Sequence, residues 1–79
     1  MSWYLVTLLV KVNGYEKYAY QLVEAYTADE ALEAALFLES HNKLEEVHGN
    51  KWVDDCFTYK EVSTVEVDSI EKSILEKFL

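Results

Sequence analysis

His41, His48 and Cys56 are the side chains of this sequence best suited to hold a transition metal or to supply a nucleophile. Their intervals of seven and eight residues do not fit zinc sites, whose ligands pair about two to five residues apart. Cys56 has no local base, oxyanion donor or pocket signature beside it, so a packed thiol is expected rather than an activated one. Asp54-Asp55 offers two carboxylates, but neighbouring strand residues point to opposite faces, which separates an acid from its base. The only glycines, Gly14 and Gly49, belong to no GxxxxGK or GxGxxG phosphate cradle. The expectation is a protein without catalytic residues, cofactor or metal, and therefore not an enzyme.

The elements that would position any site must come from 79 residues, of which 51% are hydrophobic and 28% charged. That balance suits one small globular domain spanning 1–79 and is far from a disordered composition. Fifteen acidic residues stand against seven basic ones, all lysine, for a net charge of −8. Direct nucleic-acid binding is excluded on that balance, because neutralising phosphates needs a cationic surface. The apolar stretch from Trp3 to Val12 is interrupted by Lys11 and has neither a basic leader region nor a small-residue cleavage site. It is therefore read as neither signal peptide nor membrane span. A lone cysteine suits a reducing compartment, so the cytoplasm is expected, the host's if the chain is phage-encoded.

Residues 2–12 and 15–26 are rich in β-branched and aromatic side chains and read as two strands. Asn13-Gly14 between them favours the two positive φ angles of a type I′ turn. A two-residue loop sets Val12 opposite Tyr15 and makes every cross-strand pair sum to 27. One face of the hairpin then carries Tyr4, Val6, Leu8, Val10, Ala19 and Val23. The other carries Trp3, Leu5, Leu9, Tyr18, Tyr20 and Leu22, edged by Glu16 and Glu24.

Thr27 begins a capping box with Glu30, so a helix starts at Ala28. Its apolar stripe is read as Ala28, Ala31, Leu32, Ala35 and Leu38, with Asp29, Glu30 and Glu33 opposite and Phe37 among the acids. The helix frays at His41-Asn42, and residues 43–50 read as a short helical turn closed by Gly49-Asn50. Residues 52–67 contain no turn residue and keep Val53, Phe57, Tyr59, Val65 and Val67 in one phase. They read as one long strand beside the first, the alternative being two strands broken near Lys60-Glu61. Asp68 caps a final helix with Ile70, Ile74, Leu75 and Phe78 on one side and Lys72 and Glu76 on the other. The fold class expected is α+β, a small antiparallel sheet in the order ββαβα or ββαββα, with the helices packed mainly on one face.

Two surface features remain for function. Trp3, Tyr18 and Tyr20 share one sheet face, which is either core under the last helix, a contact with a second copy, or a docking surface for another protein. Glu24, Asp29, Glu30 and Glu33, followed by Glu45-Glu46 and Asp54-Asp55, form an acidic surface suited to a basic groove. Small size, the acidic face, the acidic pairs and a ββαβ core without catalytic residues together resemble the small phage-encoded inhibitors of bacterial defence nucleases, the anti-CRISPR type. That resemblance implies stoichiometric binding to a Cas effector subunit, blocking its DNA, guide-RNA or nuclease-recruitment surface. A charge of −8 is moderate for a pure nucleic-acid mimic and favours a mixed aromatic and acidic interface. The expected protein-binding set is Trp3, Tyr18, Tyr20, Glu24, Asp29, Glu30, Glu33 and Phe37, on an inhibitor or adaptor with no membrane contact. The alternative function is a homodimeric structural or regulatory protein that pairs through its aromatic sheet face.

Overall fold

A computed structural model of the chain describes residues 1–40, 45–47, 51–54 and 57–79. Strands β1 (Ser2–Val12) and β2 (Tyr15–Ala25) are joined by Asn13 and Gly14, whose φ angles of 50° and 78° meet the demand of the two-residue turn. All eleven pairs from Ser2↔Ala25 to Val12↔Tyr15 keep the expected register. Helix α1 (Ala28–Glu39) starts where Thr27 Oγ1 accepts the Glu30 N–H, while the Glu30 carboxylate accepts from the Tyr26 N–H. The first bond satisfies a donor that a bare helix start would leave unpaired, and the second reaches one residue beyond the N-cap rather than closing the capping box on Thr27. Strands β3 (Glu45–Val47), β4 (Lys51–Asp54) and β5 (Phe57–Val67) follow, and α2 (Ser69–Leu75) opens with a complete capping box between Asp68 and Glu71.

The five strands form one antiparallel sheet in the order β2-β1-β5-β4-β3. Strand β1 is central, paired with β2 on one side and β5 on the other, as its apolar residues on both faces lead one to expect. The class is α+β. Helix α1 lies on the face made by Tyr4, Val6, Leu8 and Val10, where Ala31, Ala35 and Leu36 complete the core with Ala19, Val23, Ala25 and Tyr59. Small residues on β2 and α1 let the helix approach closely, and Leu36 fills the space beside them. Two bonds fasten the helix end: Gln21 donates to the Glu39 carboxylate from β2, and the Tyr59 hydroxyl donates to the Glu39 carbonyl at 3.3 Å from β5.

Several sequence expectations need correction. The segment read as one strand over 52–67 is two, β4 and β5, antiparallel and reversing between Asp54 and Phe57 rather than near Lys60-Glu61. Residues 45–47, read within a helical turn, are strand β3 paired with β4, so the element order is ββαβββα. Near Lys60-Glu61 the chain carries a bulge: Thr7 pairs with Ser63 and Leu8 with Glu61, leaving Val62 as the extra residue. The bulge reverses the phase, so Phe57 and Tyr59 face α1 while Val65 and Val67 face the other side. Thr64 Oγ1 donates to the Glu61 carboxylate at 2.6 Å across it. On α1 the buried stripe is rotated from the expected one: Leu36 is core, whereas Ala28 and Leu38 are exposed.

Helix α2 also departs from expectation, because it does not join α1. None of its residues is buried, and its apolar residues Ile70 and Ile74, with Phe78 beyond them, are exposed. Lys72 and Leu75 are its half-buried residues, with Lys72 Nζ 4.5 Å from the Trp3 ring centroid on the face opposite α1 and 2.7 Å from Glu76. Among the described residues no helix is long and apolar enough to cross a membrane.

Candidate interaction surfaces

The sheet face opposite α1 is open. Reading across the register, its rows are Glu24/Trp3/Val67, Leu22/Leu5/Val65, Tyr20/Thr7/Ser63, Tyr18/Leu9/Lys60/Lys51 and Glu16/Lys11/Thr58/Val53. Tyr18 and Tyr20 are 58% and 50% exposed, and Leu5, Leu9 and Leu22 are half-buried only by one another and their neighbours. Helix α2 shields a single corner, where Val67 is buried and Lys72 lies over Trp3. The reading of this face as core under the last helix therefore fails: α1 packs on the core side, opposite this face.

The same face gathers cations in a chain that has few. Lys11, Lys51 and Lys60 surround a shallow recess of about 100 Å³ with Leu9 and Thr58. Lys51 and Lys60 are direct cross-strand partners, a like-charge pairing that costs stability unless something anionic answers it. Among the described residues only Lys11 of the three reaches a carboxylate, Glu16 at 3.7 Å. With Lys72 at the opposite end, this face holds four of the seven lysines. This grouping is not apparent in the sequence, because Lys51 and Lys60 become neighbours only through the β4–β5 hairpin, whose reversal has no glycine, proline or asparagine to mark it.

The acidic surface lies elsewhere. Asp29, Glu30 and Glu33 are exposed on α1, and Phe37 beside them is 80% exposed. None of the three acids forms an ion pair among the described residues. Glu30 is engaged in the helix cap, whereas among the described residues Asp29, Glu33 and Phe37 make no side-chain hydrogen bond, ion pair or ring contact. The eight expected contact residues are thus divided by the thickness of the protein: Trp3, Tyr18, Tyr20 and Glu24 on the open sheet face, and Asp29, Glu30, Glu33 and Phe37 on α1 behind it. One flat partner surface cannot touch both groups. Glu45 and Glu46 are in β3, and His41, His48, Asp55 and Cys56 lie outside the described residues.

Below α1, Tyr4 is buried on the core face, where its hydroxyl bonds the Glu66 carboxylate. Burial first, then the charges of Glu66 and Glu30, raise its pKa above the ordinary 10.0. A tyrosine held protonated in this way is a structural group rather than a base. Among the described residues no cluster of three or more His, Cys, Asp or Glu side chains could hold a metal ion. No protein-family model, curated protein or solved structure matches the chain.

Proposed function

We propose that the chain is a non-enzymatic binding protein, an inhibitor or adaptor that presents the outer face of α1 to a basic surface on another protein. The observation that carries this reading is Phe37, 80% exposed at the end of an i, i+4 row with Glu33 and Asp29, whose carboxylates form no ion pair among the described residues. An exposed aromatic ring on a helix is an efficient contact anchor, because it buries much area for the loss of few rotamers. Acids around it attract a cationic partner over about a Debye length and raise the association rate. Proteins that grip nucleic acid carry such basic surfaces, and the resemblance to anti-CRISPR inhibitors points to a subunit of a Cas effector in the cytoplasm. The helix would then cover a surface on which nucleic acid normally lies.

The test is capture from a lysate containing Cas effector complexes, using the full chain, an Asp29→Lys/Glu33→Lys variant and Phe37→Ala as baits. Asp29 and Glu33 are chosen over Glu30 because the latter also caps the helix. A partner retained by the wild type, released by high salt and lost from both variants supports the reading. A partner retained equally by all three baits, or indifferent to salt, refutes it.

A further inference from the structure

We propose that the open sheet face receives a second copy of this chain, packed face to face about a two-fold axis that runs along β1. This inference is independent of the partner assigned to α1, and it accounts for the half of the expected contact residues that α1 does not hold.

The charge layout selects both the occupant and the axis. On the open face the acids, Glu16 and Glu24, stand on β2, and the lysines other than Lys11 stand on the far side, Lys60 on β5, Lys51 on β4 and Lys72 on α2. A two-fold axis along the strands exchanges left for right while keeping height. It carries the Glu16 end of β2 in one copy toward Lys60 and Lys51 of the other, and Glu24 toward the corner with Lys72. The lysine pair, which reaches no carboxylate among the described residues, gains one. An in-plane axis across the strands would exchange top for bottom instead, setting Glu16 against Glu24, Lys11 against Lys72, and the Lys60–Lys51 pair against the apolar Leu22/Leu5/Val65 row, so neither lysine of that pair gains a carboxylate. The axis along β1 brings Lys11 of the two copies together, each already 3.7 Å from Glu16 of its own chain, and it gives the Lys60–Lys51 pair a carboxylate; the charges therefore favour it over the axis across the strands.

Size and shape agree. The molecule measures 37 × 23 × 20 Å, so the open face, which β3 and β4 extend only at one end and α2 covers at one corner, offers at most roughly 800 Å² per copy, the half-share of a standard specific interface. Antiparallel sheets stack face to face about 10 Å apart with strands nearly aligned, and an axis along β1 produces that alignment. Leu5, Leu9, Leu22 and Val65 would form the dry centre, with Tyr18 and Tyr20 packing across it and the charges at the rim. The two copies of α1 would then lie on the outside, leaving Asp29, Glu33 and Phe37 accessible twice over.

The experiment is sedimentation equilibrium of the full chain over a wide concentration range, with three variants. The wild type is expected to reach twice its 9.2 kDa mass. Glu16→Lys alone and Lys60→Glu alone should each weaken self-association by about tenfold through two repulsive rim contacts. An equimolar mixture of those two variants should pair again, because each supplies the charge the other lacks. Tyr20→Glu should be monomeric with an unchanged far-ultraviolet spectrum, and if it fails to fold the charge-swap mixture still decides. A wild type that stays monomeric at high concentration overturns the proposal, as does a mixture that pairs no better than its components. Dimerisation that appears only on adding inorganic phosphate would assign the lysine recess to an anion and overturn the direct Glu16 contact.

Discussion

Leu8 and Leu9 are consecutive, chemically identical and on the same strand, yet truncating them should have different effects. Leu8 is fully buried between the sheet and α1, whereas Leu9 sits on the open face beside the lysine recess. Leu8→Ala removes a side chain surrounded by Val6, Val10, Ala35 and other core residues and leaves a cavity that β-sheet and helix cannot easily close. The cost should be about 3 kcal/mol, which in a domain of this size lowers the melting temperature by roughly 12–24 °C. Leu9→Ala in the monomer should cost about 1–2 kcal/mol, since its half-buried side chain opens onto solvent and leaves no enclosed cavity behind. Urea titration followed by far-ultraviolet circular dichroism, at a concentration low enough to hold the chain monomeric, measures both. Equal losses, or a larger loss at Leu9, would mean that the helix covers the other face and that the whole division of surfaces is wrong.

Two further outcomes follow from the same geometry. Tyr4 has its pKa raised in the folded state, so folding retains a proton that the unfolded chain releases near 10, and stability falls as pH rises above that value; Tyr4→Phe should flatten this alkaline loss in melting curves taken from neutral to high pH, and an unchanged slope would contradict the assignment. Gly14→Ala should cost about 1 kcal/mol by thermal melting, from the positive φ alone, because nothing stands within 4 Å of the added methyl group; a loss several times larger would show a steric role instead.

What the sequence revealed depended on whether a local chemical signal existed. Asn13-Gly14 permits only a tight turn, and that one constraint delivered the register of all eleven β1–β2 pairs. Thr27 and Asp68 located both helix starts through their side-chain oxygens. The β4–β5 reversal had no such marker, since no glycine, proline or asparagine lies between Lys51 and Val67. The bulge at Val62 is invisible to period counting, because adding one residue to a strand leaves the sequence alternation intact while turning it over. That single residue sends Val65 and Val67 to the open face and the earlier Tyr59 to the core. Capping residues say where a helix begins but not which face it will cover, so the separation of Trp3, Tyr18 and Tyr20 from Asp29, Glu33 and Phe37 emerged only in three dimensions.

The separation of the two surfaces is tested most directly by amide chemical-shift mapping of the full chain, isotopically labelled and dilute, as the captured basic partner is added. Shifts are expected along α1 at Asp29, Glu33 and Phe37 and their neighbours, with Tyr18, Tyr20 and Leu22 unmoved. Shifts concentrated on the open-face residues of β1 and β2, with α1 silent, would contradict the account.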